Sequence, residues 1–190
     1  MEFLQVVQSR RAVRQYRDAV PERALVERLI GLAVQAPSAM NLQPWAFVVV
    51  SGIEHIADCG RRARDYLLAN PDALQLPPEA LEILRQQRFE IFYRAPLLVL
   101  VLARADSPQA REDCCLAAQT LMLAARDAGL GTCWIGFGRP WLNLAATKSE
   151  LGIPATCHVV APIVLGYPLA WPEPHGREPP EVHWLSAVPV

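Results

Sequence analysis

Four arginines crowd the stretch SRRAVRQYR, at positions 10, 11, 14 and 17. Guanidinium groups this close are either solvated, as charge runs usually are, or gathered round an anion. The forks of Arg10, Arg11 and Arg14 suit a phosphate, which they can grip bidentately. A second stretch, APSAMNLQPW, sets Ser38, Asn41 and Gln43 between Pro37 and Pro44. Such side chains commonly cap helix and strand ends. The flanking prolines stiffen this loop, so its amide, hydroxyl and backbone donors also suit the polar edge of a flat heteroaromatic. A third stretch, GLGTCWIGFG, is glycine-rich. A dinucleotide turn needs a strand, then the glycines, then a helix. Here a helix precedes and a strand follows, which leaves a helix cap and a strand open to close approach. A flat ligand against the backbone of Ile135 and Gly136 is compatible with that arrangement.

Other chemistries find less support. Cys133 has no neighbouring base in sequence and reads as a buried structural cysteine. His55, His158, His175 and His183 show no metal-ligand spacing, and no metal site is expected. The 5 cysteines include no C-x-x-C, and an odd count argues against a disulfide framework, so a reducing compartment is the simpler reading. Neither a Ser-His-Asp order nor G-x-S-x-G occurs. A formal net charge of −1 argues against nucleic acid or anionic membrane as partner. The N-terminal stretch lacks an apolar signal-like core, and the longest apolar run, Leu97 to Ala103, is too short to span a bilayer. The expectation is a soluble, cytoplasmic protein.

The elements that must carry these segments follow from periodicity. The 190 residues, 52% hydrophobic, suffice for a single domain over residues 1–190. A short helix is expected over 2–9. A second starts at Pro21 and Glu22, runs through Leu25, Leu29, Ile30, Ala33 and Val34, and breaks at Pro37. A strand at 45–51 precedes a helix at 53–69. Residues 70–78 form a proline-containing break, and 79–92 an amphipathic helix. PLLVLVLA, residues 96–103, lacks alternation and reads as a strand buried on both faces. A long helix over 108–128 is capped by Gly129. A strand at 132–137, a helix at 141–151 and a strand at 157–166 complete an α+β chain. From Tyr167 the chain becomes an extended arm whose Trp171 and Trp184 want apolar cover, such as a partner subunit's surface.

RRAVRQY, APSAMNLQPW, AGLGTCWIGF and the HGR of the tail, in this order, resemble the FMN-dependent nitroreductase family over nearly the whole chain. Residues 60–95 are the least matched. The resemblance implies a central, mostly antiparallel sheet flanked by helices, in an intertwined homodimer with two FMN sites at the interface. Arg10, Arg11 and Arg14 fall on the basic motif that contacts the flavin. Ala12 stands there in place of the usual serine, so one hydroxyl contact is missing. Pro37, Ser38, Ala39 and Asn41 fall on the loop that reaches the flavin from the other subunit. Trp134, Ile135 and Gly136 fall on the stretch along the ring's edge, and Arg177 on the phosphate ligand of the tail. Phe137 follows Gly136 where many relatives carry a second glycine, which adds bulk beside the ring. Residues 60–95 are placed as a lid, and 167–190 as the arm.

The implied activity is a ping-pong transfer: NADH or NADPH reduces FMN, which then reduces a nitroaromatic, quinone or similar acceptor. No side chain need act as acid or base, and Arg14 would stabilise negative charge on the reduced ring. Two alternatives stay open. One is a dedicated flavin reductase or biosynthetic FMN dehydrogenase, and the other a flavin-binding module without turnover.

Overall fold

The computed structural model describes residues 1–173 and 175–185. In chain order its helices are α1 (Phe3–Ser9), α2 (Arg23–Ala33), α3 (Ile53–Ala69), α4 (Pro78–Arg85), α5 (Pro108–Asp127), α6 (Arg139–Leu142) and α7 (Ala145–Glu150). Its strands are β1 (Trp45–Ser51), β2 (Leu97–Ala103), β3 (Gly131–Trp134) and β4 (His158–Gly166).

All of β2 is buried, as its unbroken apolar sequence requires. The strands line up as β1-β2-β4-β3, and each neighbouring pair is antiparallel. Successive side chains of a strand point to opposite faces. Leu97, Val99, Val101 and Ala103 therefore face Leu29 of α2 and Ala117 and Leu121 of α5. Leu98, Leu100 and Leu102 face Ile56 and Leu67 of α3 and Trp141 of α6. Each such side chain taken from water contributes about 1.5–3 kcal/mol, so the sheet is held from both sides. The long helix α5 starts where Ser107 Oγ accepts from the Ala110 N–H, with Pro108 in the first turn. It stops before Gly129, whose φ of 77° is the left-handed conformation of a C-terminal cap.

Three elements differ from the sequence expectation. The helix expected over 79–92 ends at Arg85, because Gln86 turns to extended backbone and Tyr93 and Arg94 adopt φ of 51° and 48°. The strand expected over 132–137 ends at Trp134, and Gly136–Gly138 curls into a 3-10 turn. The helix expected over 141–151 is split at Asn143. The Asn143 amide donates to Arg139 O and Val159 O, each at 3.0 Å, and its Oδ1 accepts from Val159 N at 2.9 Å. A side chain that satisfies the backbone of β4 in this way competes with continuation of its own helix.

Candidate functional site

The basic segment is drawn onto the edge of the sheet. Val13 is fully buried, its N–H donates to Thr132 O at 3.0 Å, and Ala12 makes a parallel bridge to Thr132. Gly131 makes this approach possible, since a Cβ there would lie 2.7 Å from Val13 side-chain carbons. With Val13 turned inward, Arg14 is exposed. The arm returns along the same segment. Arg17 N donates to Tyr167 O at 2.9 Å, and Leu169 N to Gln15 O at 3.0 Å.

A cavity of about 470 Å³ opens between the two, within the usual range for small-molecule sites. Arg10, Arg11, Ala12, Arg14 and Gln15 form one wall. Ala170, Trp171, Pro172, His175 and Arg177 form the other. Arg10, Arg11, Ala12, Arg14 and Arg177, five of the expected site residues, thus meet in one place. The arginines are not equivalent. Arg11 Nη1 donates to Gln8 O and Arg10 O, both at 2.7 Å, and so closes the end of α1. Its Nε is buried without a partner among the described residues. Arg14 lies over the Tyr93 ring, 5.8 Å from the ring centre. Burial pushes the Tyr93 phenol above its ordinary range, with Arg14 pulling it back. Burial likewise raises the Cys133 thiol, against the pull of Arg14 and Arg10. A buried, protonated thiol agrees with a structural role for Cys133.

Beyond the Ala12–Thr132 bridge, β3 ends at Trp134 and the chain continues through Ile135 to Gly136. They do not line the arginine cavity. Ile135 is buried and its N–H is taken by Pro162 O at 2.8 Å, whereas Gly136 is exposed with nothing within 4 Å of where a Cβ would stand. Beside it stands an aromatic wall. Phe89 packs edge-on against Phe137 at 6.1 Å and against Tyr93 at 6.0 Å between ring centres. Phe89 and Tyr93 belong to the stretch that sequence reasoning could not match, and no local pattern marks them. Trp171 was legible only as an aromatic in want of cover.

Pro37, Ser38, Ala39 and Asn41 are elsewhere. Their loop is fixed to the start of α5, where Ala39 N donates to Asp113 Oδ1 at 3.2 Å. Ser38 Oγ accepts from Gln43 N at 3.0 Å, and Asn41 Oδ1 from Gln43 Nε2 at 3.1 Å. Met40, Asn41 and Gln43 all have positive φ, at 50°, 56° and 48°. Such strain persists only where the surroundings enforce it. The arginine cavity lies by the other end of α5, where Arg126 covers Trp171. From Asp113 to Arg126 the helix rises about 20 Å, so this loop cannot reach the cavity of its own chain.

Among the described residues, no cluster of three or more His, Cys, Asp or Glu is placed to hold a metal ion. No described helix is long and apolar enough to cross a membrane.

The sheet is antiparallel throughout, and a cavity walled in large part by arginines lies at its edge. Residues 7–167 match the nitroreductase family, and the chain belongs to it. The 5,6-dimethylbenzimidazole synthase of Rhodospirillum rubrum is 33% identical over 177 residues, which cover 85% of this chain and 79% of that protein. A 4-nitrobenzoate reductase from a Nocardioides species is 28% identical over 201 residues, covering 87% of this chain and 80% of the relative. A crystal structure of a Desulfitobacterium hafniense nitroreductase with bound FMN superposes with a TM-score of 0.81 at 23% identity, covering 98% of this chain and 99% of the other.

Proposed function

We propose that this protein is an oxidoreductase that holds FMN between two copies of the chain. In this reading it passes reducing equivalents from NADH or NADPH to a small nitroaromatic, quinone or similar acceptor. The observation that carries the reading is the cavity itself, in which four arginines and a histidine from two distant segments converge. Its chemistry fits a phosphate monoester at one end, with Arg11 Nε still lacking an acceptor among the described residues. Arg14 lines the cavity and lies over Tyr93, and outside the cavity lining the open space at Gly136, with Phe137, Phe89 and Tyr93, fits a flat ring. FMN has both parts, and the Desulfitobacterium hafniense structure carries it.

When bound, FMN supplies the reversible two-electron chemistry. The chain's own residues then have three tasks. Arg10 and Arg177 hold the phosphate through charge-assisted hydrogen bonds. Arg14, leaning on Tyr93, keeps a fixed positive charge near Gly136, where it stabilises a ring that has gained negative charge. Phe89, Tyr93 and Phe137 exclude water and offer an aromatic surface to an acceptor.

The remote loop supports a shared site. Ser38 and Asn41 lie a helix length away from their own cavity, so only a second copy brings them to it. Apolar surface left exposed on one chain agrees with such a partner: Phe3 and Leu4 of α1, Met40 and Leu42 of the loop, and Trp184 and Leu185 of the arm.

The visible spectrum of purified protein, before and after anaerobic NADPH, tests the reading. Oxidised-flavin absorbance that NADPH bleaches is expected. A colourless protein that takes up no added FMN refutes it. A second reading, a dedicated biosynthetic reaction on FMN, is favoured by the 33% identity to the dimethylbenzimidazole synthase. NADPH oxidation assayed across nitroaromatic, quinone and free-flavin acceptors separates the two, since a dedicated enzyme turns over none of the broad set efficiently.

A further inference from the structure

Arg126 sits in the last turn of α5 and does not line the arginine cavity, yet it touches both segments that wall it. On one side its Nε donates to Ser9 Oγ at 3.1 Å. Ser9 immediately precedes Arg10, and its own hydroxyl donates back into α1, to Gln5 O. On the other side the Arg126 guanidinium lies 3.8 Å from the centre of the Trp171 ring. Trp171 is on the arm that continues to His175 and Arg177.

The arm needs such an anchor. Up to Leu169 it is held by backbone hydrogen bonds to Gln15 and Arg17. Beyond Leu169, no described residue of the arm makes a backbone hydrogen bond to the body of the protein. The stacked pair thus stands between the backbone hold at Leu169 and the cavity residues His175 and Arg177. No carboxylate lies within ion-pair distance of Arg126 among the described residues. Its partners are instead a hydroxyl and an aromatic face. A planar guanidinium suits that pair of contacts, because it can stack and hydrogen-bond at once.

We propose that Arg126 is a positioning residue: bonded to Ser9 and stacked on Trp171, it sets the spacing of the two cavity walls that grip a phosphate monoester. The proposal rests on the FMN reading of the cavity. It goes beyond that reading in assigning cofactor retention to a residue outside the cavity lining. The competing role for Arg126 is a cation at a helix C-terminus, which stabilises α5 and nothing else.

FMN affinity, measured by fluorescence titration of flavin-stripped protein, distinguishes these roles. Arg126→Met and Trp171→Ala should each weaken FMN about tenfold, in keeping with loss of a partly desolvated cation–π contact. Trp171→Phe keeps an aromatic face and should recover most of the affinity. Turnover of Arg126→Met at saturating FMN should stay at the wild-type value, because Arg126 stands outside the cavity lining and acts at the phosphate end. In a double-mutant cycle, Arg177→Ala should cost less in the Trp171→Ala background than in wild type, since the arm is already loose. Trypsin should also cut after Arg177 faster in both clasp variants without ligand. Melting curves confirm that each variant is folded. Additive effects of Trp171 and Arg177, or an Arg126→Met variant with lower melting temperature and unchanged FMN affinity, overturn the clasp. Wild-type protein that binds no FMN overturns the reading of the site and the proposal with it.

Discussion

Arg177→Ala and Arg11→Ala remove the same charge from the same cavity, yet the structure separates their consequences. Arg177 is exposed, and among the described residues its Nη1 donates only to the neighbouring Gly176 O at 3.1 Å. Truncating it leaves no buried group unpaired, so stability should change by no more than about 0.5 kcal/mol. If it grips the FMN phosphate, the loss is one charge-assisted hydrogen bond, about 1.5–3 kcal/mol, or roughly 10- to 150-fold in dissociation constant. Arg11 already donates to Gln8 O and Arg10 O. Removing it leaves those carbonyls at the end of α1 without their donor and should cost about 1–3 kcal/mol of stability. At about 2–4 °C per kcal/mol for a chain of this size, the melting temperature falls by several degrees. Thermal melts of the FMN-free proteins and fluorescence titration with FMN measure both quantities. Turnover of Arg177→Ala at saturating FMN should match wild type, because the phosphate is remote from the reacting ring. Unchanged FMN affinity in Arg177→Ala, or equal loss of affinity in both variants without any change in melting, refutes this division of roles.

Three further outcomes are expected. If Arg10→Ala and Asn41→Ala each abolish FMN binding as homodimers, the mixed dimer should bind about one FMN per two chains, since one site is intact and the other carries both defects; a site built within one chain gives no binding at all. Phe137→Ala should shift the ratio of turnover between large and small acceptors while costing less than the about 3–5 kcal/mol of a fully buried phenylalanine, since its ring is only half-buried against the core beside its edge-on contact with Phe89; a large drop in melting temperature with unchanged ratios assigns Phe137 to the core instead. Burial, then the Arg111 charge, hold the His158 pKa below its ordinary 6.5, against the opposing pull of Asp106. The unfolded chain therefore takes up a proton first as pH falls below that value, and stability is lost there. Between about pH 7.5 and pH 5.5, His158→Gln should show a smaller fall in melting temperature than wild type, and an identical fall refutes the assignment.

The elements that were legible in sequence are those whose pattern is local. An unbroken apolar run marks β2, and Gly129 marks the end of α5. The misread elements are those that a distant partner decides. Asn143 ends its helix because Val159, sixteen residues on, offers backbone groups for its amide. Tyr93 and Arg94 take left-handed backbone that neither residue type announces. The site divides in the same way. Clustered arginines signal an anion without any fold, but Arg177 was placed only through the family resemblance. Trp171, Arg126, Phe89 and Tyr93 acquire their roles from packing alone. The Ser38–Asn41 loop reads in sequence as stiff and polar, yet its anchorage to Asp113 is invisible until α5 is in place.

The cavity walls come from residues 10–15 and 170–177 of the chain. Protein synthesis is directional, so the first wall is made early and waits. The strand order adds to the delay, because β2 pairs with β4 only after α5 and β3 have been made. Pairings of such long sequence separation form late. A chain made only as far as residue 169 therefore has one jaw of the site and no cavity. A nascent chain stalled before residue 170 can be folded over most of its sheet and still lack the second wall.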